Sequence, residues 1–159
     1  MRSGVRAFGG SAVPRSTREE TSAVTIERFE DLKSWQEARK LMQVVYRLTR
    51  GKAFAQDHGL GWQMEAAAVS SMGNIAESHG RYSFEDKRRL LDIALGSCRE
   101  VQSHLYVALD QSFVTQHEFE AAYRQADVVS QLLNGSINNL DRQIASRTAE
   151  KSGPRRKTR

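Results

Sequence analysis

The sequence predicts an all-α protein folded as an antiparallel, up-down-up-down four-helix bundle. Four segments between residues 29 and 145 repeat apolar residues at steps of three and four, which is the period of one helix face. The 159 residues include only two prolines and eleven glycines, few for a chain of many short strands and turns. Hydrophobic residues make up 39% and charged residues 27%, so the composition is that of a folded domain.

The first two helices are predicted from apolar stripes that end at a glycine. The first covers residues 29–51 and ends at Gly51, and the second runs from about Gly59 to His79 and ends at Gly80. The stripe of the first helix consists of Leu32, Trp35, Ala38, Met42 and Val45, and that of the second consists of Leu60, Met64, Ala67, Ser71, Ile75 and Ser78.

The third and fourth helices begin at capping signals. Ser83 followed by Asp86 resembles a capping box with Asp in place of Glu, and Thr115 with Glu118 is the standard pattern. The third stripe consists of Leu91, Ala94, Cys98, Val101, Leu105 and Ala108, and the fourth of Phe119, Ala122, Ala126, Val129, Leu133, Ser136 and Leu140. Four such helices joined by short connections predict the bundle.

The positive charge is concentrated at the C-terminus. The net charge is +5, but residues 28–145 carry 14 basic and 15 acidic residues, whereas residues 146–159 carry six basic residues and one acidic residue. We therefore expect a disordered extension over 1–27, a bundle over 28–145 and a basic disordered tail over 146–159. Such a tail either binds RNA, DNA or an acidic partner through charge, or is a solvated end that aids solubility.

The residues offer little support for catalysis. Arg99 and His104 match the Arg-x4-His pattern of the HEPN ribonucleases, but positions five apart lie about 140° apart around a straight helix. Glu100 and His104 have no second copy that would complete a metal site in a bundle. The single cysteine, Cys98, lies on an apolar stripe and is expected to be a small buried hydrophobe. We expect no enzyme activity, metal or cofactor, and a cytoplasmic location without a membrane span.

Polar residues within the second helix predict hydrogen bonds that fix the register between helices. Gln63, Ser70, Asn74 and Glu77 interrupt a stretch that is otherwise small and apolar. The residues expected to make packing and register contacts are Trp35, Gln63, Asn74, Glu77, Ser97 and Glu100.

Several motifs resemble the four-helix bundle protein family named after proteins encoded in 23S rRNA intervening sequences. Residues 29–32 (FEDL) with Trp35-Gln36 are similar to its opening. Residues 67–70 (AAVS) and 74–77 (NIAE) are similar to its second helix, and residues 94–97 (ALGS) with Glu100 to its third. The resemblance covers about residues 29–141.

This resemblance implies a non-enzymatic protomer that assembles into a ring-like homopentamer. It also implies a link to the accessory variability determinant of diversity-generating retroelements, which binds nucleic acid and a reverse transcriptase. The chain departs from the family where Glu65 and Ala66 replace two arginines, which lowers the attraction for phosphate at that place. Residues 71–73 (SMG) replace the family's Ile-Pro-Ser, so the second helix is expected to be more continuous.

The leading hypothesis is a self-assembling scaffold or adaptor that presents a repeated surface to a protein or nucleic-acid partner. The alternatives are an accessory protein of a reverse transcriptase and a HEPN-like ribonuclease that uses Arg99 and His104. The candidate nucleic-acid-binding residues are Arg81, Arg88, Arg89, Arg155, Arg156, Lys157 and Arg159.

Overall fold

Four α-helices account for most of residues 26–152, the part of the chain that the computed structural model describes. They are α1 (Lys33–Thr49), α2 (His58–His79), α3 (Phe84–Asp110) and α4 (Gln116–Ser152). Short 3-10 turns at Phe29–Asp31 and Lys52–Gln56 flank α1. No β-strand occurs within residues 26–152, so the predicted all-α class is confirmed over this range.

The helices pack around one shared core. Helix α1 contacts α2 and α4, and α3 contacts the same two helices from the other side. Of the 24 predicted stripe residues 19 are buried, and the partly buried ones are Leu32, Trp35, Met42, Ser136 and Leu140. In α1 the unpredicted Leu41 is fully buried, while Met42 is only partly covered. Phe54, in the turn after α1, is also buried and packs against Phe113 with ring centroids 5.3 Å apart. The sequence did not predict this contact, because Phe54 lies outside any helical repeat.

Local hydrogen bonds explain where the helices begin. The side chain of Asp57 accepts from the backbone N–H of Leu60 at the start of α2. At the start of α3 the Ser83 hydroxyl accepts from the N–H of Asp86 at 3.0 Å. The capping box predicted for α4 is confirmed, since Thr115 Oγ1 accepts from the N–H of Glu118 and a Glu118 carboxylate oxygen accepts from the N–H of Thr115.

Helix α4 is longer than the sequence predicted. It continues to Ser152, so residues 146–152 are helical and the prediction of a disordered tail is wrong for them. Residues 145–151 are exposed, which explains why no apolar stripe marks this stretch. Ala, Arg, Glu and Lys favour helix without core contacts, and the guanidinium carbon of Arg147 lies 3.9 Å from the Phe84 ring centroid. The remaining tail, 153–159, and the extension up to residue 25 lie outside the described residues.

The first predicted helix is interrupted near its start. Leu32 adopts an extended conformation (φ −67°, ψ 121°) and separates the 3-10 turn from α1. None of the helices within residues 26–152 is both long and apolar enough to span a membrane.

Candidate functional site

Ion pairs engage two of the three arginines that the sequence singled out in the described part of the chain. Arg81 pairs with Glu77 one helical turn before it. Arg88 Nε lies 2.6 Å from Asp141 Oδ1 on α4 and its Nη1 lies 3.4 Å from Asp92 Oδ2, and its hydrogen bond to Asp141 raises the pKa of the guanidinium. Arg89 is exposed and has no ion pair with another described residue. The predicted residues Arg155, Arg156, Lys157 and Arg159 lie outside the described residues.

Two of the predicted register residues come together between α2 and α3. Asn74 Nδ2 donates to the backbone oxygen of Ser70 at 2.8 Å, and the hydroxyls of Ser70 and Ser97 lie 2.9 Å apart. At the next residue of each helix, nearer the core, the Ser71 hydroxyl lies 3.0 Å from Cys98 Sγ, and both residues are fully buried. These contacts join the middle of α2 to the middle of α3.

The other predicted register residues lie nearer the surface. Trp35 is half-buried and packs edge-on against Phe29, with ring centroids 5.1 Å apart. Gln63, Glu77 and Glu100 are exposed, and a Glu100 oxygen lies 3.6 Å from His104 Nε2. The structure therefore brings Asn74 and Ser97 together through Ser70 but does not bury these three side chains.

Apolar and small residues lie on the sides of α2 and α3 that face away from the core. We call this set the α2/α3 outer face, and it consists of Trp62, Ala66, Val69 and Gly73 on α2 with Ile93, Gly96 and Val107 on α3. Trp62 is 69% exposed, and Val69, Ile93 and Val107 are each slightly over 40% exposed. A Cβ added at Gly73 or Gly96 would meet nothing within 4 Å, so packing within the protomer does not require glycine at either position.

The carboxylate of Glu65, at one of the two positions where the resemblance led us to expect arginine, is directed toward α1. Its Oε1 accepts a hydrogen bond of 2.5 Å from the Thr49 hydroxyl, and the residue is half-buried. Ala66, at the second such position, is exposed on the α2/α3 outer face. The two replacements therefore act at different places, one between α1 and α2 and one on the surface.

The sequence did not predict a group of basic side chains that lies on the solvent side of α1 and in the turn that follows it. Arg39, Arg47, Arg50 and Lys52 are all exposed, and none forms an ion pair with another residue in the range 26–152. We call these four residues the α1 basic face. The sequence contains a signal for it, because residues 38–56 hold five basic residues and no acidic one. The net charge of residues 28–145 is close to zero, so this local excess of basic residues is not visible in the total.

Two adjoining depressions run along the α1 basic face. Gln43, Tyr46, Arg47 and Arg50 line one, and Gln36, Arg39, Lys40 and Gln43 line the other, so the two meet at Gln43. Arg50 lies over the Tyr46 ring with its guanidinium carbon 5.3 Å from the centroid, and Arg39 lies over Trp35 at 5.8 Å. A ring beneath a guanidinium limits its motion and leaves its N–H edges available to an anion.

A buried carboxylate separates this face from α4. Glu37 is only 6% exposed, and its Oε1 lies 2.8 Å from Lys33 and 2.9 Å from Lys40, while its Oε2 accepts from Gln125 Nε2 on α4. The hydrogen bonds from Lys33, Gln125 and Lys40 lower the pKa of Glu37 to about 2. Lys33 and Lys40 are thus occupied by Glu37, which leaves Arg39 and Arg47 on α1, Arg50 at its end and Lys52 in the next turn as the unpaired cations of this region.

The described residues show no catalytic constellation. Arg99 is exposed, whereas His104 Nε2 is buried and without a hydrogen-bond partner, so the ribonuclease pairing of Arg99 with His104 gains no support from the geometry. No three His, Cys, Asp or Glu side chains within residues 26–152 could hold a metal ion together. The thiol of Cys98 is fully buried, and burial raises its pKa.

The fold and these surfaces define an all-α protein of four helices around one core. The model of the 23S rRNA-intervening sequence protein family matches residues 30–135, and the chain belongs to that family. Among solved structures, it is similar to a protein of unknown function from the S23 ribosomal protein family of Bacteroides thetaiotaomicron. The two share 18% identity and a TM-score of 0.61, over 65% of this chain and 97% of that chain, which shows a common fold. No curated protein matches the sequence.

Proposed function

We propose that this protein is a non-catalytic, self-assembling scaffold that works in the cytoplasm. Each protomer is an antiparallel, up-down-up-down bundle, and the protomers assemble into a ring-like homopentamer. The ring presents one surface several times to a protein or nucleic-acid partner. The observation that carries this proposal is the α2/α3 outer face, which exposes apolar side chains and two helical glycines that the protomer itself does not use.

Contacts between α3 and α4 support the alternating helix direction. Tyr106, near the end of α3, packs on Phe119 at the start of α4, with ring centroids 4.9 Å apart. Arg88, near the start of α3, pairs with Asp141 far along α4. The short connections, residues 80–83 and 111–115, also favour neighbours that run in opposite directions.

The two open glycines of the α2/α3 outer face support a close approach by another helix. A glycine inside a helix costs about 1 kcal/mol relative to alanine. Gly73 and Gly96 carry this cost in the middle of α2 and α3 without any contact that a Cβ would disturb. Exposed Val69 and Ile93 flank them and would be covered by the same neighbour. A second copy of this face would offset the cost by burying apolar area.

Light scattering after size exclusion tests the assembly. Five protomers of 17.9 kDa give about 90 kDa, and we expect the purified protein to elute at that mass. The double variant Val69→Glu/Ile93→Glu places charges on the α2/α3 outer face and is expected to yield the monomer. The matched control is Val128→Glu, which changes an equally exposed valine on α4 and should leave the mass unchanged.

A second variant tests the same interface in case the double variant Val69→Glu/Ile93→Glu fails to fold. Gly96→Leu adds a side chain where the protomer has open space and improves helix propensity, so the monomer should fold at least as well while assembly weakens. A wild-type protein that is monomeric at micromolar concentration would contradict the scaffold proposal. If both variants of the α2/α3 outer face still assemble, the interface between protomers lies on another surface.

A further inference from the structure

We propose that the α1 basic face binds the phosphodiester backbone of a nucleic acid. This inference deepens the scaffold proposal, on which it rests for the repetition of the face around the assembly. It places binding on Arg39, Arg47, Arg50 and Lys52, and not on the arginines of the α2–α3 turn and α3.

Ion pairs distinguish the α1 basic face from Arg81 and Arg88, whereas Arg89 and Arg99 on α3 are also exposed and unpaired. Arg81 and Arg88 are held by Glu77, Asp92 and Asp141, so a phosphate would have to displace a carboxylate to reach them. The four residues of the α1 basic face have no carboxylate partner within residues 26–152. An unpaired exposed cation exchanges only water and counterions for phosphate, which is the source of salt-dependent affinity for nucleic acid.

The acidic groups near the face are already engaged. Glu30 borders the far end of the second depression and lies 2.7 Å from Arg28. Glu118 shares a depression with Arg47 on the α4 side, and its carboxylate accepts hydrogen bonds from the backbone and hydroxyl of Thr115. Glu65 accepts from Thr49, and Glu37 is buried against Lys33 and Lys40.

The chemistry of the face suits phosphate better than a membrane or a base-specific contact. Three of its four cations are arginines, whose planar N–H edges match two phosphate oxygens at once. The large hydrophobic side chains that are exposed within residues 26–152 all lie outside α1, so the face offers nothing to insert into a bilayer. Tyr46 and Trp35 are half-buried and each lies beneath an arginine, so that arginine would compete with a base for stacking on the ring.

The dimensions fit a stretch of backbone. Arg39 and Arg50 are eleven residues apart on α1 and its end, so they are separated by about 16 Å along the helix axis. Several phosphates can be contacted along that length, with Gln43 available as a neutral hydrogen-bond donor between the cations. Repetition of the face in an assembly would raise the affinity through multivalency, with no new kind of contact.

Fluorescence anisotropy with the full chain tests the inference. The probes are a labelled 20-nucleotide RNA of mixed sequence and a DNA of the same sequence, titrated between 50 and 200 mM salt. We expect both to bind with an affinity that falls with salt, since the face reads the backbone alone. The double variant Arg39→Glu/Arg50→Glu is expected to weaken binding about tenfold or more and to lower the salt slope by about one per contact removed.

The matched control is Arg89→Glu/Arg99→Glu, which makes the same charge change at two exposed, unpaired arginines of α3. It should reduce affinity far less. Because Arg39 and Arg50 pack on aromatic rings, Arg47→Glu/Lys52→Glu serves as a second test that leaves those contacts intact. Circular dichroism confirms folding of each variant.

Separate readouts keep this inference apart from the scaffold proposal. Light scattering on the same samples reports assembly, and anisotropy reports binding. Absence of RNA and DNA binding by the wild-type protein overturns the inference, and so does an equal loss in the α1 and α3 variants. A wild-type monomer whose weak binding still depends on Arg39 and Arg50 would support the inference while contradicting the scaffold.

Discussion

Glu37 is the one charged residue that is buried within residues 26–152. It is a nearly buried carboxylate that holds two lysines of its own helix and a glutamine of α4. Leaving the lysines exposed keeps their desolvation small, while the carboxylate accepts three hydrogen bonds. The contact to Gln125 joins positions 88 residues apart in the chain, so it becomes a stabilising interaction only once α1 and α4 have packed.

The pKa of Glu37 predicts how stability depends on pH. Its pKa of about 2 in the folded protein lies below the value of 4.5 expected for a free glutamate. The stabilisation is therefore complete above about pH 5 and is lost as the pH falls toward 2. We expect Glu37→Gln to lower the free energy of unfolding by about 1–2 kcal/mol at pH 7 and to flatten its dependence between pH 5 and pH 3. Urea unfolding at several pH values measures both effects.

Glu120→Gln is the matched control for this prediction. Glu120 is an exposed glutamate that lies 3.7 Å from Arg124, and such surface pairs contribute little. Its removal should change the free energy of unfolding by less than about 0.5 kcal/mol at any pH. Equal effects of the two substitutions would show that the buried position of Glu37 has no special energetic role.

Helix α3 ends without the glycine that commonly follows the last turn of a helix. Ser112 has a φ of 58°, and it is the one non-glycine residue with a positive φ within residues 26–152. The N–H of Phe113 donates to the Ala108 oxygen at 2.8 Å, and the N–H of Ser112 donates to the Leu109 oxygen at 2.9 Å. This is the Schellman pattern of helix ends, in which glycine usually takes the left-handed position.

A Ser112→Gly substitution should therefore stabilise the protein. Glycine adopts the left-handed conformation without the steric cost of a Cβ, so we expect the free energy of unfolding to rise by about 0.5–1 kcal/mol. Ser103→Gly makes the same change at an exposed position in the middle of α3 and should lower it by a similar amount. Denaturant unfolding of both variants checks the pair, and the same sign for both would contradict the argument.

The length of α4 could not be predicted from its apolar residues. The apolar stripe predicted for α4 ends at Leu140, which is also the last residue of α4 that packs against the core. Helical hydrogen bonding nevertheless continues to Ser152, with the Thr148 hydroxyl donating to the Ile144 oxygen. Apolar residues recur along a helix only where one side of it is buried. Where a helix extends beyond its neighbours, the apolar repeat therefore stops although the backbone hydrogen bonds of the helix continue.

For the whole molecule, association through the α2/α3 outer face would link stability to concentration. Assembly stabilises only the folded protomer, so Tm should rise by a few degrees when the concentration increases from 5 to 50 µM. The variant Val69→Glu/Ile93→Glu should show a Tm that does not depend on concentration. Differential scanning calorimetry measures both, and a concentration-independent Tm in the wild-type protein would contradict assembly by this face.

The sequence by itself determined the four helices, the starts of α2, α3 and α4, and most of the core, because capping and helical period act over a few residues. The core position of Leu41 and the role of Phe54 required the packed structure, since either side of α1 could have faced inward. Tertiary structure also decided which charges are free. Arg88 meets Asp141 only because α3 lies against α4, and Glu65 meets Thr49 only because α2 lies against α1. Ion pairing depends on distance in space, so only the folded chain showed that the residues of the α1 basic face are unpaired while Arg88 is not.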